Sequence, residues 1–130
     1  PKRRGITRVK ELLAKGINVS FGQDCVQDTF YPFGRVDPLE VGLIAAHAAH
    51  MSMPQEIEQV FDMQTNAAAS VMRLGDYGFA PGCAADLVIL DANNAAEALT
   101  KQATRNVVIK SGRVIVENET RREWRWTLAE

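Results

Sequence analysis

The sequence predicts an α/β protein, and three patterns in it carry that prediction. Near the N-terminus a helix-period segment is followed, after one glycine, by an alternating strand-like run. A continuous apolar run of strand length lies at Leu87-Val-Ile-Leu. Two β-branched runs, Asn106-Val-Val-Ile-Lys and Arg113-Val-Ile-Val-Glu, flank Ser111-Gly112 in the pattern of a β-hairpin.

Val9, Leu12 and Leu13 fall at helical spacing, so Thr7 to Lys15 reads as a short helix with Thr7 as its cap and Gly16 as its stop. Ile17-Asn-Val-Ser-Phe then alternates apolar and polar residues up to Gly22 and reads as a strand. Helix, single glycine and strand together make the αβ half of an α/β repeat. From Gln23 to Pro38 the chain has no periodicity. Loops of that length are functional or disordered, and Phe30, Tyr31 and Phe33 speak against disorder. Asp37 and Pro38 supply an N-cap and a first helical residue for a helix to about Ser52, whose few charges and many small residues predict burial. Further helices are expected near Pro54–Met63 and Thr65–Leu74, and a short one from Asn93 to Gln102; Gly75 to Asp86 is turn-rich. The chain divides into residues 1–74 and 75–130. Neither part looks self-sufficient, because a single strand has no neighbour to pair with.

Of 130 residues, 46% are hydrophobic and 24% charged, which is the composition of a globular chain. Fifteen basic against sixteen acidic side chains leave a net charge of -1, without the basic excess of a nucleic-acid-binding protein. Trp124 and Trp126 amid Arg121, Arg122 and Arg125 have the chemistry to stack on nucleic acid, or equally to pair with a neighbouring strand. No uncharged apolar run approaches the roughly 18 residues that cross a bilayer, so no membrane partner is expected. Pro1-Lys-Arg-Arg-Gly has no apolar core behind it and does not read as a secretory signal; with no initiator methionine, a processed or excised chain is expected. Cys25 and Cys83, far apart and outside any CxxC, make a reducing cytoplasm the expected compartment.

Asp24 is the first candidate for chemistry. It lies just past the carboxyl end of the strand-like run, where α/β barrels place catalytic groups, and a carboxylate there can ligate a metal or act as a general base. An Asp in that position also caps turns. Cys25 beside it has no activating base nearby and reads as a small hydrophobe more readily than as a nucleophile. His47 and His50 share one helix face, but no Glu accompanies them in a metal-binding motif, and packing roles are favoured. The glycines from Gly75 to Gly82 fit neither GxGxxG nor the P-loop, and the zinc-deaminase signature H-x-E…P-C-x-x-C is absent.

Gly5-Ile-Thr-Arg-Val-Lys-Glu-Leu-Leu-Ala-Lys-Gly-Ile-Asn-Val-Ser-Phe-Gly-Gln-Asp resembles the last barrel repeat of the cytosine deaminases in the amidohydrolase superfamily, and Val26-Gln-Asp-Thr-Phe-Tyr-Pro-Phe-Gly is similar to that branch's following loop. Thr65-Asn-Ala-Ala and Gly78-Phe-Ala-Pro-Gly-Cys-Ala-Ala-Asp-Leu-Val-Ile-Leu-Asp resemble the signature with which these enzymes leave the barrel and re-enter a small β-sandwich. The resemblance implies the C-terminal portion of a (β/α)8 barrel over 1–74, with strand eight at Ile17–Phe21, and strands of the accessory β-sandwich over 75–130. It implies a hydrolase that deaminates a heterocyclic base, a cytosine-like aminopyrimidine or an aminotriazine, with a divalent metal (iron, zinc or manganese) as cofactor.

In that family the aspartate ending strand eight, here Asp24, ligates the metal and shuttles protons from the attacking water. Cys25 stands where well-known members carry a second aspartate, and Phe30 where they place a tryptophan over the ring, so both are expected to line the substrate pocket. The family's metal-binding histidines and catalytic glutamate are not matched in this sequence. It therefore resembles the C-terminal third of an enzyme, and the isolated chain is expected to be inactive and to hold no metal. Open strand edges at Ile17–Phe21 and at Leu87 imply pairing with another copy, hence a homo-oligomer. The alternative reading is a non-catalytic structural or interaction module that keeps this architecture.

Overall fold

The computed structural model describes residues 5–121, 123 and 125. Trp124, Trp126 and Arg122 of the proposed stacking tail, and the first four residues, lie outside the described residues. Arg121 and Arg125 both pair with Glu123.

The first helix, α1 (Val9–Ala14), starts later than expected: Arg8 rather than Thr7 occupies its cap, with no side-chain bond. Gly16 ends it as expected. Its φ of +72° lets the amides of Gly16 and Ile17 turn back to the carbonyls of Leu13 and Leu12.

The expected strand at Ile17–Phe21 does not form. A strand exists only by exchanging ladder bonds with a neighbour, and none lies beside this segment among the described residues. The segment is instead held to the helices that follow. Phe21 N–H donates to the Met63 carbonyl at 3.4 Å, and Asn18 Nδ2 donates to the Ala67 carbonyl at 3.1 Å.

After the loop comes α2 (Pro38–Ala48), capped as expected by the Asp37 carboxylate, which accepts from Leu39 N–H at 2.9 Å. It is less buried than its composition predicts: Leu39 and Gly42 are buried, whereas Ile44, His47 and Ala48 are exposed. One face alone has a partner. Gly42 makes that face possible, because a Cβ there would lie 2.9 Å from Leu99 Cδ2 and 3.4 Å from the Phe21 ring. The third helix, α3 (Pro54–Asp62), is tied at its start by Glu56 reaching back to the amides of Ser52 and Met53, and buries Val60. The short α4 (Asn66–Val71) presses Ala67 and Ala69 inward.

A three-stranded antiparallel sheet follows, built from β1 (Leu87–Leu90), β2 (Arg105–Lys110) and β3 (Arg113–Glu117) in the order β1-β2-β3. Val88, Val108 and Val116 lie across from one another. The β2–β3 hairpin turns through Ser111 and Gly112, both at positive φ, as the Ser-Gly pair predicts. Asp86 holds that turn by accepting from Ser111 N–H and pairing with Lys110. No second sheet faces this one among the described residues, so the expected sandwich is represented by one layer.

Between β1 and β2, α5 (Ala95–Lys101) is capped by Asn94 and buries Ala95, Ala98 and Leu99. It packs on α2 and α3, and the resulting core is Leu39, Met51, Val60, Ala98, Leu99 and Ala103, with Leu13 and Phe21 against its edge.

Candidate active site

Asp24 sits at the neck of the 23–37 loop, directly after the extended segment that α1 and Gly16 launch, and its carboxylate is exposed. Among the described residues no cation is paired with it. The Cys25 thiol points to it, with Sγ 3.8 Å from Asp24 Oδ2.

Cys25 is half-buried, and its thiol is pushed up to about 11 by the Asp28 carboxylate that accepts its hydrogen bond, then by desolvation and the charge of Asp24. It is therefore a neutral donor at pH 7, not a nucleophile. Asp28 also organises the next stretch of loop, its Oδ1 accepting from Phe30 N–H at 2.8 Å and Tyr31 N–H at 2.9 Å. One carboxylate thus joins the thiol of Cys25 to the backbone of Phe30. The Phe30 ring is 67% exposed.

The far end of the loop is clamped to α2 and β2. Tyr31 OH donates to Glu40 at 2.6 Å, Arg35 Nε donates to the other oxygen of Glu40 at 2.9 Å, and Arg105 from β2 pairs with Asp37. Tyr31 and Arg35 hold the Glu40 carboxyl below its ordinary range. Burial pushes the Asp37 carboxyl up, but Arg105 and the Leu39 amide outweigh it and leave it low. Both carboxylates are charged at neutral pH, and the clamp is fully formed there.

Of these clamp residues the sequence marks Asp37 as a cap and Tyr31 only as one of the aromatics that speak against disorder. Tyr31, Arg35 and Glu40 have no shared periodicity.

His47 and His50 line a separate cleft of about 270 Å³ with Leu43, Met51, Ile57 and Leu99. It shares no residue with the Asp24 loop, and no group of three or more metal-ligating side chains occurs among the described residues. An exposed carboxylate without a cationic partner suits one position of a hard or borderline divalent ion. The described residues fit a metal as a single donor, and do not complete its coordination.

The chain is a member of the Amidohydrolase family, which it matches over residues 1–120. It is 34% identical over 116 residues to a pterin deaminase of Rhizobium rhizogenes, covering 88% of this chain and 26% of that one. It is 34% identical over 112 residues to the N-isopropylammelide isopropyl amidohydrolase of Pseudomonas sp. strain ADP, covering 85% and 28%. Its structure superposes with a TM-score of 0.87 on 5-methylcytosine deaminase from Klebsiella pneumoniae liganded with 5-fluorocytosine, at 42% identity over 95% of this chain and 30% of that one. The N-isopropylammelide isopropylaminohydrolase of Burkholderia multivorans gives 0.83 at 31% identity, over 91% and 30%. The chain therefore spans less than a third of each relative's length.

Proposed function

We propose that this chain is the C-terminal portion of a hydrolase that removes an exocyclic amino group from a heterocyclic base, with a cytosine-like aminopyrimidine as the leading substrate class and an aminotriazine as the next. The observation that carries the proposal is the exposed, cation-free Asp24 carboxylate at the neck of a braced loop, in a family whose relatives named above are deaminases and amidohydrolases of such rings. The identity of 42% to the 5-methylcytosine deaminase, against 31% to the isopropylammelide enzyme, favours the pyrimidine.

In this proposal residues 1–74 are the last repeat of a (β/α)8 barrel with the helices after it, and residues 75–130 part of a small β-domain, joined through the packing of α5 on α2 and α3. The Ile17–Phe21 segment would gain strand partners from the rest of the longer protein. Asp24 would be one ligand to a divalent metal, the others coming from outside this sequence. When bound, such an ion supplies a water acidified toward a pKa of about 7. Asp24 would accept the proton given up by a water molecule adding to the ring carbon that bears the amino group. It returns the proton to the amino nitrogen as the carbon–nitrogen bond breaks and ammonia leaves. Cys25 remains a neutral wall and hydrogen-bond donor beside the carboxylate, and the Phe30 ring offers an apolar face to the flat substrate.

The test is amine release by a longer protein containing this chain: ammonia from cytosine, 5-methylcytosine and pterin, and the alkylamine from an N-alkylammelide. Turnover of an aminopyrimidine is expected, with a loss on the order of 10³-fold or more in Asp24→Ala, the scale of removing a proton carrier. The 130-residue chain alone should release none. Absence of the released amine from every substrate, or full activity in Asp24→Ala, would overturn the proposal.

A further inference from the structure

Gln23 immediately precedes Asp24, and its side chain joins the two ends of the loop. Nε2 donates to the Cys25 carbonyl at 3.2 Å, while Oε1 accepts from the Asp37 amide at 3.1 Å. A carbonyl on one side and an N–H on the other admit only this orientation of the amide. The residues before and after Asp24 are therefore fixed by one side chain, which also closes the neck between positions 23 and 37.

The surroundings are built around that amide. A Cβ on Gly34 would lie 2.7 Å from Gln23 Nε2, 3.0 Å from the Cys25 carbonyl oxygen and 3.0 Å from Tyr31 Cδ1, so only glycine leaves the bridge room. Val36, next to Asp37, is held at φ +57°, a region a β-branched residue occupies only when its neighbours over-determine it. Arg35 is fixed by Glu40 and Asp37 by Arg105 and Leu39. The rigid end of the loop is tied to α2 and β2, and Gln23 is the direct polar link from that end to the peptide carrying Asp24.

We infer that Gln23 is a positioning residue for Asp24, transmitting the rigidity of the Asp37 end of the loop to the carboxylate that moves the proton. The inference rests on the role proposed for Asp24. It gives a reason for a neutral amide at this place: methionine loses both bonds, and glutamate keeps the acceptor toward Asp37 while losing the donor toward Cys25.

The experiment compares Gln23→Met, Gln23→Glu and Asp24→Asn in the longer protein, reading kcat, KM, the folded fraction and deuterium exchange of the Asp37 amide. Both Gln23 variants should lose kcat on the order of 10- to 100-fold with KM changed by less than about threefold, as a displaced reacting group would. Gln23→Met should also speed Asp37 exchange by on the order of tenfold, whereas Gln23→Glu should leave it slow. A kcat within about twofold of the parent in either variant, a loss matched by lost folded protein, or Asp37 exchange that is unchanged in Gln23→Met would each overturn the inference. Full activity in Asp24→Asn would refute the proposed function itself. Inactive Asp24→Asn with normal Gln23 variants would refute only the positioning role.

Discussion

The Cys25 thiol faces the carboxylates of Asp28 and Asp24, and both make its thiolate unfavourable, Asp28 the more so. From the sequence this residue read as a small hydrophobe without an activating base, and the structure adds that its surroundings are deactivating. Iodoacetamide should therefore label Cys25 slowly at pH 8, with the rate climbing as pH rises toward about 11, where the thiolate forms. Asp28→Asn removes the largest cause of the shift and should accelerate labelling at pH 8, read by peptide mass spectrometry. Equal rates in the parent and Asp28→Asn would contradict the geometry. The position of Asp24 at the end of the extended segment follows from the chain before it. The partnership of Cys25 with Asp28 depends on how the loop folds back, which residue type and spacing do not specify.

At the level of elements, Asp37 joins three of them. It caps α2, pairs with Arg105 of β2 and offers its amide to Gln23. Only the cap was visible in the Asp-Pro pair, because capping is local, whereas Arg105 lies 68 residues away. Asp37→Ala should cost about 1 kcal/mol for the cap and more for Arg105, whose side chain is only 28% exposed and would lose its carboxylate. Asp37→Asn keeps the cap acceptor and should fall between the parent and Asp37→Ala in urea unfolding of the chain; no loss in Asp37→Asn would show that the Arg105 pair contributes nothing. The sign of the pH effect follows from the lowered carboxyl. Its stabilisation is complete above the ordinary Asp value of 3.8 and is lost as pH falls through the lower folded value, a dependence that Asp37→Ala should diminish.

For the whole molecule, the sheet ends in β1 on one side and β3 on the other, with no strand beyond either among the described residues. Val88, Ile89, Val114, Ile115 and Val116 are each more than 40% exposed, and Phe79 is 92% exposed. Open edges and uncovered apolar side chains favour association. The isolated 130-residue chain is expected to self-associate across micromolar concentrations in light scattering. A strictly monomeric profile would refute this.

The helices and the hairpin were legible in the sequence, because periodicity, Asp-Pro capping and a Ser-Gly turn act over a few residues and leave local marks, while the family was legible only through its resemblance in particular motifs. The same local reading failed at Ile17–Phe21, where alternation was correct for a strand but the ladder needs a neighbour that is absent among the described residues. It also overestimated the burial of α2, since composition does not say how many faces find a partner. Sequence alone determined which residues carry charge, turn and apolar surface. Tertiary structure decided that Gln23, Gly34, Asp37 and Arg105 meet at the neck of the loop that carries Asp24, because contacts between distant positions arise only when the helical core closes and brings both ends of the loop to one place.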